Sequence, residues 1–194
     1  MSILALTSDT LIGTPAAGNI EYNGQFYGTD SALSRAQMQR ITQGTAVAST
    51  SGTSIDFTGL PAWVKRITVM LTGVSINSTS NFLFQIGSGS VTSTGYASRA
   101  TYFQGATLSG GNSSAGFIAG NFGAANTQSG AITLTLLASN TWVATGYLAD
   151  SGSNATSIGG TSPALSGALD RVRVTTVGGT DTFDAGSVNI IYEG

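Results

Sequence analysis

From Gln43 onward, apolar and polar residues alternate in short runs broken by Gly, Ser, Asn and Thr. The clearest run lies within 58–76, TGLPAWVKRITVMLTGVSI, where a Gly-Leu-Pro turn and Trp63 lead into Lys65 and Arg66. Over Val64–Ser75, Ile67, Val69 and Leu71 fall on one side, and Arg66, Thr68, Met70 and Thr72 on the other. That period of two is the mark of a half-buried strand. The same reading predicts strands over Ala46–Ser51 and Ser54–Phe57 (flanking a Ser-Gly-Thr turn), Asn81–Ile86, Arg99–Leu108 and Gly116–Ile118. Ala131–Leu137 and Thr141–Leu148 follow, joined by Ser139-Asn140, and Leu169–Val177 and Ser187–Tyr192 close the chain. Many short strands separated by turn signals, with no strand–helix alternation, predict an all-β fold: an antiparallel β-sandwich, jelly-roll-like. The Gly/Ser/Asn/Thr stretches 87–98, 109–114, 119–130 and 151–168 read as loops, which a sandwich gathers at its two ends.

The first 42 residues follow a different pattern. Residues 1–18 surround a short apolar run, Ile3 to Leu6, and read as an extended arm that needs a partner surface. In 19–28, NIEYNGQFYG, Asn23-Gly24 sits between apolar-rich flanks, the signal of a hairpin with a type I′ turn. Residues 30–41, DSALSRAQMQRI, predict one short helix: Asp30 as its cap, Gly44 beyond its end, and Leu33, Gln37 and Ile41 on one weakly apolar face. So short a helix is marginal without packing. The expected division is an N-terminal attachment or oligomerisation arm, 1–42, and a β-sandwich domain, 43–194.

Composition narrows the chemistry. Charged residues are 8% of the 194, against roughly 25% in an average soluble domain, and Ser, Thr, Asn and 27 glycines take their place. One lysine and six dispersed arginines make no basic patch, so a nucleic-acid partner is not expected. The chain has no Cys and no His. Thiol chemistry, imidazole-based catalysis and the usual zinc sites are thereby excluded. No stretch approaches a membrane span, and MSILALTSDT lacks the basic region of a secretory signal, so no membrane insertion and synthesis in a cytoplasm are expected.

Three groups of residues are candidates for function. Lys65, Arg66, Asp170, Arg171 and Arg173 hold four of the seven basic residues. Cross-strand pairing of the two segments would give satisfied ion pairs or a subunit contact, and otherwise a patch for acidic glycan. In GGTDTFDAG, 178–186, Asp181 and Asp184 offer two carboxylates to a calcium ion, fewer than its usual ligand set, so a hydrogen-bonded turn is preferred and no metal or cofactor is expected. Among the aromatics, Trp142 and Phe117 read as core, whereas Tyr96 and Phe122, inside Gly/Ser stretches, are the candidate receptor contacts. Nine scattered acids show no glycosidase pair, and the expectation is that the protein is not an enzyme.

Three phrases, TPAAGNIEYNGQFYGT (14–29), SIDFTGLPAWVKRITVMLTGVSINSTSNFLFQIGSG (54–89) and LDRVRVTTVGGTDTFDAGSVNIIYEG (169–194), resemble the C-terminal parts of tailed-bacteriophage tail-fibre and related virion proteins. The resemblance implies a phage structural protein located in the virion, homotrimeric, and bound to other virion proteins of tail or capsid. It also implies contact with a host surface glycan or protein through the distal domain. In that family the first phrase follows a long shaft, whereas here it begins at residue 14. The expectation is therefore a short tail fibre or fibre tip, with a capsid decoration or head-fibre protein as the alternative. A polysaccharide depolymerase and a monomeric carbohydrate-binding module are the competing classes.

Overall fold

The computed structural model describes residues 14, 16–23, 25–32 and 34–194. The chain divides into two compact units, residues 1–40 and residues 41–194. Most of the extended stretch expected over 1–18, including Ile3 to Leu6, lies outside the described residues, as do Gly24 of the hairpin signal and Leu33 of the helix signal.

In the first unit, β1 (Ile20–Tyr22), β2 (Phe26–Thr29) and β3 (Arg35–Gln37) form a three-stranded antiparallel sheet. Tyr22 pairs with Phe26, so the hairpin expected at 19–28 is present, and the two rings lie 4.9 Å apart. The helix expected over 30–41 is absent among the described residues: that stretch holds β3 and ends on the first residue of β4 (Ile41–Gln43). Asp30 does cap backbone, but the backbone of a turn. Its Oδ1 accepts from Ala32 N and Ser34 N, each at 2.9 Å. Asp offers that local bond to a turn as readily as to a helix. The turn then returns the chain as β3, whose backbone groups pair with β2 across Tyr27–Gln37 to Thr29–Arg35. A short helix with a weak apolar face cannot compete with a ladder already in place. Arg35 and Glu21 form an ion pair at 3.0 Å. Ile20, Phe26 and Met38 remain 67%, 45% and 43% exposed.

The second unit is all-β, sandwich-like, and antiparallel in every pairing. Its remaining strands are β5 (Val47–Ala48), β6 (Ile55–Thr58), β7 (Arg66–Ile76), β8 (Phe82–Ser88), β9 (Ser90–Val91), β10 (Ala97–Gln104) and β11 (Thr107–Ser113). They continue with β12 (Phe117–Ala119), β13 (Gln128–Ala138), β14 (Thr141–Asp150), β15 (Asn154–Thr161), β16 (Arg171–Thr176) and β17 (Phe183–Glu193). A large sheet runs β11-β10-β15-β14-β13-β7-β17-β4, with β5 beside β17. A small sheet runs β12-β8-β16-β6, with β9 beside β8. Ile67, Val69, Ile132, Leu134, Trp142 and Ile190 of the large sheet share one buried cluster with Phe82, Phe84, Ile86, Phe117, Val172 and Val174 of the small one. The alternation read from Ile67, Val69 and Leu71 thus points inward, as half-burial requires.

Ala100 and Ile158 are cross-strand neighbours and so share a face of the large sheet. Yet Ile158 packs in the main core, while Ala100 packs with Leu83 and Ile118 in a second cluster. Phe82 and Phe84 of β8 already face the main core, so Leu83 faces the other way. The β10–β11 end of the large sheet therefore curls round the β12 edge of the small one.

Several stretches expected to be loops are strands. β9, most of β11 and all of β15 fall within 87–98, 109–114 and 151–168. The single strand expected over Arg99–Leu108 is a hairpin, with Gln104 paired to Thr107. The strands flanking the Ser-Gly-Thr turn do not pair with each other: β5 joins β17 in the large sheet, and β6 joins β16 in the small one.

Candidate functional site

The outward face of the large sheet is built by register. One row runs Asn112–Arg99–Gly159–Thr145–Thr133–Thr68–Ile191 across seven strands. The next runs Gly110–Thr101–Ser157–Tyr147–Ala131–Met70–Asn189. The face is broad, rich in hydroxyls and nearly free of charge. Near its β11 end lies a groove of about 490 Å³, bordered by Arg99, Asn112, Ser113, Ser114 and the backbone of Gly159. A Cβ at Gly159 would meet nothing within 4 Å, so the floor of the groove is bare backbone open to solvent. Tyr147 stands on the same face, 55% exposed.

Arg99 differs from the other arginines in its partners. Arg66 pairs with Glu193, Arg171 with Asp170 at 2.7 Å, Arg173 with Asp56 at 2.7 Å and Arg35 with Glu21. The remaining described carboxylates are engaged by neutral donors. Asp30 serves its turn, Asp150 accepts from Asn126 and Asn154, Asp181 from Thr176, and Asp184 from Ser75. Among the described residues, the exposed guanidinium of Arg99 makes no ion pair and no hydrogen bond. Lys65, exposed on the chain leading into β7, has no carboxylate partner among them either.

The Lys65, Arg66, Asp170, Arg171 and Arg173 group is not one cluster. β7 lies in the large sheet and β16 in the small one, so the two segments are not cross-strand neighbours. Each arginine takes a carboxylate close to its own strand. The β7–β17 register sets Arg66 opposite Glu193, and the β16–β6 register sets Arg173 opposite Asp56. The side-chain bond from Glu193 raises the Arg66 guanidinium further above its usual range. Asp170 is held below the usual carboxylate range, first by the bond from Arg171, against an upward pull from burial, and further by the amide of Gly89. Its side chain thereby ties the β8–β9 turn to the start of β16.

Tyr96 is 4% exposed, and its hydroxyl accepts from Ile86 N at 2.9 Å and donates to Thr92 O at 3.0 Å. Burial pushes that hydroxyl up to about 12, although the bond from Ile86 acts the other way. Its ring meets Phe117 edge-on at 5.1 Å. Phe122 is half-buried, edge-on to Tyr102 at 5.7 Å. Phe117 and Trp142 are core, at 0% and 1% exposure. Asp181 lies below the usual carboxylate range because Thr176, Ser78 and Ser80 donate to it, with burial opposing. Hydroxyls hold the Asp181 and Asp184 carboxylates separately, and no group of three or more metal-ligating residues occurs among the described residues.

Arg99 and Asn112 were not singled out by the sequence: Arg99 opens a stretch read as a strand, and Asn112 sits in Gly/Ser-rich text read as a loop. Tyr147 carried a legible signal: with Trp142, Ala144 and Leu148 inward on β14, residue 147 has the outward parity. Comparison with protein-family models, with curated proteins and with solved structures gave no match. Among the described residues, no helix is long and apolar enough to cross a membrane.

Proposed function

We propose that this chain is a non-enzymatic bacteriophage virion protein, a short tail fibre or fibre tip that contacts the host surface and works as a homotrimer. The observation that carries the reading is how the resembling phrases meet. Phrase 54–89 holds β6, β7 and β8, and phrase 169–194 holds β16 and β17. β16 pairs with β6 and β8, and β17 pairs with β7. Two segments far apart in sequence thus form one strand framework spanning both sheets. The remaining phrase, 14–29, holds β1 and β2, which pair with each other in the first unit. A resemblance that falls on mutually paired strands is what a shared fold demands. Between the phrases, β10, β11 and β13 to β15 extend the large sheet, β12 extends the small one, and β10, β11 and β15 carry the Arg99 groove.

Two further observations support the reading. The chain changes sheet repeatedly, from β6 (small) to β7 (large) to β8 (small), and again at β10, β12, β13, β16 and β17, an alternation in keeping with a jelly roll. In the first unit, Ile20, Phe26 and Met38 stay exposed on a sheet too small to cover them. An arm that intertwines with two other copies would bury them. The functional test is competition. Purified chain added in excess is expected to block adsorption of the phage that carries it. Undiminished adsorption at saturating protein would remove the host-contact role.

A further inference from the structure

We infer that the Arg99 groove and Tyr147 form one binding strip for an oligosaccharide bearing an anionic group. The inference rests on the host-contact reading and names its ligand class. Arg99 is the cation of the large sheet's outer face that the described carboxylates leave unengaged. A guanidinium there offers its fork to a carboxylate or phosphate oxygen pair. Asn112 stands opposite it on β11, and Ser114 borders the same groove, so an amide and a hydroxyl stand beside the charge. Such groups match sugar hydroxyls.

The register sets the spacing. Gly159 lies opposite Arg99, Thr145 lies opposite Gly159, and Tyr147 is two residues along from Thr145. Two strand spacings across and two residues along put Tyr147 about 12 Å from Arg99. The positions between them are Thr101, Ser157 and Thr145, small hydroxyl side chains that leave the path low. A short oligosaccharide bridges that span, with its charged group at Arg99 and a ring face on the exposed Tyr147. The missing side chain at Gly159 provides the depth.

The test is calorimetric titration of the full chain with a panel of uronate-bearing and phosphate-bearing oligosaccharides. Each is paired with its neutral form, carboxyl-reduced or dephosphorylated. At least one acidic member is expected to bind, and its neutral form about tenfold or more weakly. Arg99→Gln is expected to lower affinity for the acidic member to the level of the neutral form, and added salt to weaken binding to the wild type only. Tyr147→Ala is expected to weaken both forms. A Cβ at Gly159 meets no heavy atom within 4 Å, so Gly159→Val is expected to fill the floor and abolish binding while leaving the melting temperature at or above that of the wild type. Equal affinity for acidic and neutral forms, binding unaffected by Gly159→Val, or no binder in the panel would overturn the strip. If the chain still blocks phage adsorption in any of those cases, the host-contact reading survives and only the strip falls.

Discussion

Replacing Gly186 by alanine is expected to destabilise the large unit by about 3–5 kcal/mol, among the largest costs a single methyl can impose. Gly186 lies in β17 where the register with β7 shifts, between Ala185 and Ser187. Its φ is +88°, a region that costs an L-residue roughly 1–2 kcal/mol. A Cβ there would sit 2.3 Å from Gly73 O, 2.4 Å from Gly73 C and 2.5 Å from Val74 N. These are backbone atoms of the neighbouring strand and cannot swing aside like a side chain. Ser49 ties the same point, donating from N to Gly186 O at 2.9 Å and from its hydroxyl to Ala185 O at 2.7 Å. The strain therefore falls where three segments meet. The urea midpoint of Gly186→Ala, set beside that of Gly159→Ala, gives the comparison. The first should drop sharply and the second should hold. Equal midpoints would show that the β7–β17 bulge yields easily.

Trp142→Ala is expected to cost about 3–5 kcal/mol by emptying the largest buried position. Trp142 is 1% exposed on β14, opposite Leu136 of β13. Its backbone N–H is held by Ser162 Oγ at 2.9 Å, so the ring's position is fixed from the main chain. Among the described residues, the indole N–H finds no acceptor. The ring therefore contributes through burial and packing. Trp142→Phe keeps much of the apolar volume and should cost only about 1–2 kcal/mol. Chemical denaturation of the two variants separates volume from hydrogen bonding. A cost for phenylalanine equal to that for alanine would contradict a purely packed role.

The parts of the fold that the sequence made legible are those in which one strand face is apolar. In β7, β13, β14, β16 and β17, large side chains alternate with polar ones, so solvent and core write different letters. β11 (TLSGGNS) and β15 (NATSIGGT) lack that contrast. β15 presents Ser157 and Gly159 to solvent, and its inward row includes Gly160, opposite Ala144 and Ser98. A strand of small neutral residues looks like a loop, because backbone pairing leaves no periodic mark. The helix expectation failed for a related reason. Asp30 signals a capped backbone, and neighbouring β2 decides whether the cap serves a helix or a turn.

The site followed the same division. Tyr96 and Phe122 drew notice as aromatics among small residues, yet Tyr96 is a buried closure of the core and Phe122 packs against Tyr102. Tyr147 could be placed outward by parity alone. Arg99 could not, because its distinction is the lack of a carboxylate, and that depends on which acids the fold gives to Arg66, Arg171 and Arg173.

The most direct measurement of the central claim is to locate the chain in the virion. On the proposed reading, gold-labelled antibody against the large unit is expected, in electron micrographs of a phage encoding the chain, to decorate the distal end of the tail or its fibres. Label spread over the head would contradict a fibre tip and assign the chain to the capsid.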